Sequence, residues 1–193
     1  MSGPLRSSSI SGIILTGFMG AGKTTVGALL AGRLGWRFLD SDRVVEERAG
    51  MTVAEIFARR GEAAFRELET ATIREIARGE PLVLALGGGA LESAATRALL
   101  ASLSSWRIVF LEAPFDILIG RCAGQLEGPV RPVLRDRERL AERWQSRLPW
   151  YAEAHLTVAT AELTPQAVAE SIVDALFGAG NAELVHAGGG AQA

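Results

Sequence analysis

The stretch at residues 12–35, GIILTGFMGAGKTTVGALLAGRLG, decides how the whole 193-residue chain is interpreted. An apolar run preceded by Arg6 could be a secretory signal peptide, which ends in small neutral residues at its cleavage site. Here the run leads instead into residues 17–24, GFMGAGKT, which match the phosphate-binding pattern GxxxxGK[ST]. Because a lysine and two threonines are unsuited to a cleavage site, we interpret the segment as part of the folded protein.

The residues after this pattern continue it in the order that a phosphate-binding loop requires. Apolar side chains recur at helical spacing at Val26, Leu29, Leu30 and Leu34. The order is therefore strand, glycine-rich loop and helix, with Gly35 at the helix end. In such a loop the backbone N–H groups bind phosphate oxygens, Lys23 reaches the β and γ phosphates, and the Thr24 hydroxyl ligates Mg²⁺. The alternative is a flexible glycine turn.

The composition predicts a single soluble domain in a reducing, cytoplasmic compartment. A chain of this length supports one domain with a sizeable core. A formal net charge of -2 gives no basis for binding nucleic acid or an anionic membrane. No apolar run is long enough for a transmembrane helix. The single cysteine, Cys122, cannot form an intramolecular disulfide, and we interpret it as a small core residue.

Short apolar runs alternate along the chain with longer helical patterns, which is typical of βαβ units and a parallel sheet. We predict strands at residues 12–16, 36–40, 82–86, 107–111 and 156–159. The long helical pattern from Thr52 is predicted to form two helices broken near Gly61. Residues 1–9 are predicted to be a disordered N-terminal extension and residues 179–193 a flexible C-terminal tail, so residues 10–178 form the domain.

Two carboxylates follow the second predicted strand, at the edge where open parallel sheets bind ligands. Asp40 and Asp42 are two residues apart, so both can reach the cleft beside the phosphate-binding loop. One carboxylate can then serve a metal ion while the other serves the phosphoryl acceptor. The alternative is local, since Asp42 or Ser41 could cap the helix that RVVEERAG predicts. Capping does not require two acids, so we favour the functional interpretation.

Three glycines follow the third predicted strand, at residues 87–89. They could form an ordinary turn. A triple glycine also removes every side chain from one wall of a pocket, so that a polar ligand can lie against bare backbone donors. The position at the end of a strand in the same sheet as the phosphate-binding loop favours a ligand-binding wall.

Taken together, these motifs resemble the shikimate kinase family of small P-loop kinases. The matching segments are, in order, GFMGAGKTTVGALLAGRLG, FLDSD, TVAEIFARRGEAAFRELE, LALGGGA, GPVRPVL and RLPWY. A phosphate-binding loop alone is shared by many families, but this combination, within about residues 12–177, is specific. The resemblance implies an α/β fold with a five-stranded parallel sheet in the order 2-3-1-4-5, flanked by helices and covered by a mobile lid.

The resemblance also implies transfer of the γ-phosphoryl group of ATP to the 3-hydroxyl of shikimate, in the pathway to chorismate and the aromatic amino acids. The implied ATP site comprises Gly20, Ala21, Gly22, Lys23, Thr24, Thr25, Arg121 and Arg131. Arg131 resembles a lid arginine that reaches the transferring phosphate, and Arg121 is implied to stack on adenine. Mg²⁺ is implied to bind Thr24 directly and Asp40 through water.

The implied acceptor site comprises Asp42, Arg66, Gly88, Gly89 and Arg147. Asp42 resembles the residue that binds the shikimate hydroxyls and acts as the base, so Lys23, Asp42 and Arg131 are the implied catalytic residues. Arg66 and Arg147 resemble a pair that binds the carboxylate, and the glycines resemble backbone contacts to the acceptor. This chemistry suits the ligand, because a guanidinium is a planar fork for a carboxylate and an aspartate accepts a hydroxyl proton.

The sequence around Arg147 and around Arg66 bears on these two assignments. Arg135, Arg139, Arg143 and Arg147 recur every four residues, a spacing that is typical of a solvated helix face. We single out Arg147 because the break Leu-Pro-Trp-Tyr follows it directly. Arg66 has Glu69 three residues later on the same helical face, where the carboxylate can orient its guanidinium.

Three other functions share part of these features. A gluconate or nucleoside monophosphate kinase would share the loop and lid but should lack the combination of FLDSD, FRELE and GGGA. A GTPase predicts an NKxD motif, which the chain does not contain. A nucleotide-binding regulatory domain predicts loss of Lys23, Asp42 or Arg131, and all three are present. We therefore expect an enzyme that acts on shikimate and ATP, as a monomer without nucleic-acid or membrane partners.

Overall fold

A computed structural model of the protein describes residues 10–124 and 136–178 and contains a five-stranded parallel sheet in the order β2-β3-β1-β4-β5. The strands are β1 Gly12–Thr16, β2 Arg37–Asp40, β3 Leu82–Ala85, β4 Trp106–Glu112 and β5 Leu156–Ala159. All four strand pairings are parallel, which confirms the predicted α/β class and strand order. Two strands are slightly shorter than predicted and one is slightly longer.

Helices connect the strands and cover both faces of the sheet. They are α1 Lys23–Leu34, α2 Ser41–Ala49, α3 Val53–Ile76, α4 Ala94–Ser102, α5 Phe115–Gly124, α6 Arg137–Tyr151 and α7 Pro165–Phe177, with a 3-10 turn at Ala90–Glu92. Within the two described ranges, no helix is both long and apolar enough to cross a membrane. The predicted tails at residues 1–9 and 179–193, and the predicted lid around Arg131, lie outside the described residues.

The central strands carry the core because they are covered on both faces. Ile13, Ile14 and Leu15 of β1 have no exposed surface, and β3 is buried along its whole length. Such strands are apolar at every position, unlike the alternating pattern of a half-exposed strand. This burial anchors the carboxyl ends of β1 and β3, from which two of the predicted site loops leave the sheet.

The register of the sheet brings the carboxyl ends of three strands to one edge. Leu15 of β1 pairs with Ala85 of β3, and Asp40 of β2 pairs with the same Ala85. The loops that follow these strands therefore start side by side. They contain the phosphate-binding loop, the two aspartates and the triple glycine, as expected for an open parallel sheet.

Helix α3 is broken at Gly61, as the sequence predicted. Gly61 has a φ of 81° and a ψ of 167°, a conformation that only glycine adopts readily. The N-terminal half begins at a capping box in which Thr52 and Glu55 each satisfy the other's backbone N–H. The C-terminal half carries Arg66 and Glu69 toward the carboxyl edge of the sheet.

The cap of helix α2 excludes the alternative in which Asp42 or Ser41 is a capping residue. Neither Asp42 nor Ser41 caps this helix, because the N-cap is Asp40, whose Oδ1 accepts a hydrogen bond from the Asp42 backbone N–H at 3.1 Å. The buried Ser41 hydroxyl instead accepts from the Gly87 N–H at 2.9 Å and ties the end of β2 to the triple glycine. The Asp42 carboxylate therefore has no capping role.

Candidate active site

The phosphate-binding loop has the backbone conformation that its glycines permit. Gly17, Gly20 and Gly22 all have positive φ, and a Cβ at Gly20 would overlap the Leu118 carbonyl oxygen. Gly22 is the N-cap of α1, with no side-chain cap, so the first N–H groups of the helix point into the loop without a capping partner. A helix start of this kind binds phosphate oxygens.

Lys23 lies within this loop in a largely dehydrated environment. Its Nζ donates to the carbonyl oxygens of Gly17 at 2.7 Å and Phe18 at 3.1 Å. Burial lowers the pKa of Lys23 to about 8, although the carboxylates of Asp40 and Asp42 oppose the change. Burial disfavours the charged ammonium, and the negative charge of nucleotide phosphates would stabilise it.

Thr24 and Asp40 provide two oxygens at the position predicted for the metal. The Thr24 hydroxyl donates to Oδ2 of Asp40 at 3.3 Å. Among the described residues there is no group of three or more metal-ligating side chains. A hydroxyl with a single carboxylate suits Mg²⁺, which keeps several waters and binds substrate phosphates. The residues present therefore fit the predicted ion.

Two carboxylates meet over Gly87. A Cβ on Gly87 would overlap Oδ1 of Asp42 and would lie 2.9 Å from Oε1 of Glu69. Burial raises the pKa of Asp42, and the charge on Asp40 raises it further, while Lys23 lowers it. Burial raises the pKa of Glu69 to about 7, against the effect of its arginine partner. An aspartate whose pKa is raised in this way is better suited to accept a proton.

Arg66 is held by a ring of carboxylates. Its Nη1 donates to Oε2 of Glu69 at 2.8 Å, which is the contact predicted from their spacing. Its Nη2 donates to Glu62 at 3.2 Å and to Oε2 of Glu92 at 3.4 Å. Arg66 Nε and Glu69 Oε1 are buried without a hydrogen-bond partner among the described residues, which is unusual for groups of this kind.

Arg147 is the buried member of its row on α6. Its Nε donates to Oε1 of Glu92 at 2.7 Å, its Nη2 forms an ion pair with the same oxygen at 2.7 Å, and its guanidinium lies over the Phe18 ring at 5.5 Å. Arg143 and Arg139, one and two turns earlier, are exposed. Among the described arginines of this row, Arg139 and Arg143 therefore lie on a solvated face and Arg147 turns into the site, as predicted.

The triple glycine forms the wall against which both arginines lie. A Cβ on Gly89 would overlap Nη2 of Arg66 and would lie 3.1 Å from Nη2 of Arg147. A Cβ on Gly88 would lie 3.6 Å from Nη1 of Arg147. The Tyr151 hydroxyl donates to the Gly88 carbonyl oxygen at 3.0 Å and fixes this wall to α6.

Glu92 and Tyr151 were not predicted as site residues, and Gly87 was predicted only as part of the glycine wall. Glu92 bridges the two arginines, Tyr151 holds Gly88, and Gly87 lies beneath the carboxylates of Asp42 and Glu69. Gly87 was available as the first residue of the glycine run. Tyr151 ends the matching segment RLPWY but had no predicted role, and nothing in the sequence marks Glu92, since each acts on residues far away in the chain.

The remaining predicted residues are on the nucleotide side or outside the described residues. Arg121 of α5 donates to Thr160 Oγ1 at 3.0 Å and to the Thr160 carbonyl oxygen at 2.5 Å, and so lies against the loop after β5. Its contact with adenine stays a prediction. Ala21 is buried in the phosphate-binding loop and Thr25 is exposed in the first turn of α1. Arg131 lies outside the described residues.

Comparisons with known proteins agree on one family. The family model described as shikimate kinase matches residues 19–177. A shikimate kinase of Thermobifida fusca (strain YX) is 44% identical over 171 residues, which is 87% of this chain and 96% of that protein. The structure of shikimate kinase from Acinetobacter baumannii in complex with shikimate is similar with a TM-score of 0.77 and 36% identity, covering 86% of this chain and 93% of that chain.

A gluconokinase from Sinorhizobium meliloti 1021 shares the fold alone. Its structure has a TM-score of 0.57 and 18% identity, covering 87% of this chain and 92% of that chain. At this identity the likeness carries no functional argument. It does show why a phosphate-binding loop and a parallel sheet are insufficient to choose between small-molecule kinases.

Proposed function

This chain belongs to the shikimate kinase family, and on that premise we propose that it transfers the γ-phosphoryl group of ATP to the 3-hydroxyl of shikimate. The observation that carries this proposal is the pairing of Arg66 and Arg147 against the glycine wall, next to the carboxylate of Asp42. Shikimate is an anion with vicinal hydroxyls. It therefore needs two features together, a cationic fork for its carboxylate and an acceptor for a hydroxyl proton.

We assign carboxylate binding to Arg66 and Arg147. They come from different helices, α3 and α6, but their Nη2 atoms both approach Gly89. Two guanidiniums can hold a carboxylate from two sides, which orients the ring as well as binding it. The backbone groups of Gly88 and Gly89 lie beside this pair and are the proposed contacts to the body of the acceptor.

Asp42 is the proposed base. Its carboxylate lies at the acceptor side, and burial and Asp40 raise its pKa toward the range in which a base accepts a proton effectively. In the proposed step, the Asp42 carboxylate takes the proton of the acceptor hydroxyl as the oxygen bonds to the γ phosphorus. The bond from that phosphorus to the bridging oxygen of ADP breaks, and Asp42 later returns its proton to solvent.

The nucleotide half of the site is assigned to the loop and the start of α1. The N–H groups of residues 20–25 hold the phosphates, and Lys23 leaves the carbonyl oxygens of Gly17 and Phe18 to meet them. Thr24 and Asp40 would hold Mg²⁺, Asp40 through water, and the ion would supply charge neutralisation at the phosphates. We further assign Arg131 to the transferring phosphate and Arg121 to adenine.

We also propose that the enzyme works as a cytoplasmic monomer in aromatic amino-acid biosynthesis, without nucleic-acid or membrane partners. The nearly balanced charge and the single cysteine support this assignment. Sedimentation of the purified protein with and without shikimate and Mg-ATP would test the oligomeric state.

The proposed reaction is tested by offering the purified protein Mg-ATP with shikimate, quinate, gluconate or nucleoside monophosphates in turn, and following ADP release. We expect rapid ADP formation with shikimate, and phosphorus NMR should place the new phosphate on the 3-hydroxyl. The Lys23→Ala variant is the control for contaminating kinases, because it removes the loop cation without disturbing the core. Rapid turnover of gluconate but not shikimate would overturn the proposal.

A further inference from the structure

Glu92 places a carboxylate between the two arginines that are assigned to bind the carboxylate of the acceptor. One of its oxygens, Oε1, accepts from Nε of Arg147 at 2.7 Å and is ion-paired with Nη2 of Arg147 at 2.7 Å. The other, Oε2, accepts from Nη2 of Arg66 at 3.4 Å. Glu92 therefore bridges the pair with one oxygen on each guanidinium, which is the geometry expected of a bound carboxylate ligand.

The backbone of Glu92 is held firmly in this position. Glu92 ends the 3-10 turn that follows the triple glycine. Arg97 Nη1 donates to the carbonyl oxygens of Leu91 at 2.5 Å and Glu92 at 3.0 Å, and the Arg97 guanidinium lies over the Trp150 ring at 5.0 Å. The Glu92 side chain itself is 31% exposed, so it can rotate away from the arginines while its backbone stays fixed.

The contacts of Glu92 affect how strongly the two arginines attract an incoming anion. Arg66 also pairs with the fully buried Glu69 and the exposed Glu62, whereas among the described ion pairs Glu92 is the carboxylate partner of Arg147. With Glu69 and Glu92 charged, these two carboxylates balance the two guanidiniums, apart from the solvent-screened Glu62. An incoming anion then gains less from the pair than it would from two unpaired cations, because it must share or replace the Glu92 contacts.

We propose that Glu92 is a specificity-determining residue, an internal carboxylate that competes with the acceptor carboxylate for Arg66 and Arg147. Small carboxylates without hydroxyls gain too little elsewhere in the site to displace it. An acceptor that also contacts Asp42 and the glycine wall gains enough, so Glu92 excludes simple anions at the expense of some acceptor affinity. This inference rests on the proposed function for the role of the two arginines.

A purely structural role for Glu92 predicts the opposite sign. If Glu92 only held the arginines in place, removing its charge would disorder them and weaken acceptor binding. If it competes, Glu92→Gln should tighten binding of shikimate by about threefold to thirtyfold, because a tenfold change in affinity corresponds to only about 1.4 kcal/mol of binding free energy. The kcat should stay within about twofold, because Glu92 acts before the phosphoryl group moves.

The test is calorimetric titration of wild-type and Glu92→Gln protein with three ligands. Shikimate and cyclohex-1-ene-1-carboxylate, which has the carboxylate but no hydroxyls, should both bind more tightly to the variant. Shikimate methyl ester, which lacks the charge, should bind equally to both. The hydroxyl-free ligand makes the test independent of the reaction, because it reports on the arginine pair even if shikimate proves not to be the acceptor.

The matched control is Glu62→Gln, which removes a carboxylate that contacts Arg66 at 3.2 Å but is 64% exposed. We expect this variant to bind all three ligands within about twofold of wild type. Glu92→Ser serves as the second variant if Glu92→Gln does not fold, with the same expectation. Unchanged or weaker carboxylate binding by a folded Glu92 variant, or an equal gain in Glu62→Gln, would overturn the proposal.

Discussion

The Thr24 hydroxyl donates to Oδ2 of Asp40 at 3.3 Å, and this contact joins the first turn of α1 to the end of β2. The other oxygen of Asp40 accepts from the Asp42 N–H and caps α2. One carboxylate therefore positions both the proposed metal ligand and the backbone of the proposed base. Changes at Asp40 should affect metal binding, proton transfer and helix stability, and different substitutions should separate these effects.

Asp40→Asn and Asp40→Ala should separate the metal role from the capping role. Asparagine keeps an oxygen for the Asp42 N–H, so Asp40→Asn should unfold like wild type, whereas Asp40→Ala should lose about 1 kcal/mol of stability. Both variants lose the charge that favours Mg²⁺. We expect the activity deficit of Asp40→Asn to shrink as Mg²⁺ is raised. A deficit that is insensitive to Mg²⁺ would argue against the metal assignment.

Asp42→Asn should keep the shape of the site and lower kcat by roughly 10²-fold or more, as loss of a general base does. The pH dependence gives a second measurement. Because burial and Asp40 raise the pKa of Asp42, activity should fall with decreasing pH through a value above that of an ordinary aspartate. Asp40→Asn removes one cause of this rise. Its acid limb in kcat/KM for shikimate should therefore move to lower pH, and a limb that moves upward would contradict the assignment.

ATP binding should weaken as pH rises above about 8. The ammonium of Lys23 has a pKa lowered to about 8 by burial, and only the charged form attracts phosphates. If only that form binds, the Kd for ATP should rise by about tenfold between about pH 7 and about pH 9. Lys23→Arg, whose guanidinium stays charged in this range, is the control and should show little change. A pH-independent Kd in the wild type would contradict this prediction.

Arg147→Ala should raise the KM for shikimate and leave the KM for ATP nearly unchanged. Removing one partner of a buried charge contact costs about 2–5 kcal/mol, or on the order of 30-fold to several-thousand-fold in affinity. Arg143→Ala, one turn earlier and exposed, is the matched control and should behave like wild type. Steady-state kinetics with each substrate varied separately provide the measurement. A loss of ATP affinity alone would place Arg147 outside the acceptor site.

Gly89→Ala should impair acceptor binding through shape alone. Gly89 has a φ of −108° and a ψ of 5°, which alanine can adopt, but its Cβ would overlap Nη2 of Arg66. We expect the KM for shikimate to rise by about tenfold or more, because displacing the Arg66 guanidinium from its position is enough for a change of that size. Gly32→Ala, on an exposed part of α1 with nothing within 4 Å of the new Cβ, is the control and should be neutral or slightly stabilising.

Much of this architecture could be predicted because its signals are local. The strands of the sheet follow from short apolar runs, and their parallel arrangement follows from the helices between them. The break at Gly61 follows from one glycine inside a long helical pattern, and the contact between Arg66 and Glu69 follows from their spacing on one helix. Each of these depends on residues within a few turns of one another.

The helix cap shows where local reasoning was insufficient. Asp40, Ser41 and Asp42 are all good capping residues, so the sequence cannot choose among them. The structure chooses Asp40 because β2 ends there, while Ser41 is drawn to the Gly87 N–H across the sheet. That the Asp42 carboxylate does not cap α2 is therefore a consequence of how β2 and β3 are aligned.

The sequence by itself determined the fold class, the phosphate-binding loop and the residue types of the acceptor site, because periodicity, glycine conformation and motif spacing act over short distances along the chain. Only the tertiary structure decided that Glu92 bridges Arg66 and Arg147, from 26 and 55 residues away, and that Tyr151 reaches Gly88 from 63 residues away. Such contacts depend on the register of the sheet and the packing of α3 and α6 around it. Their energy comes from burial and charge neutralisation between distant segments, which no local pattern records.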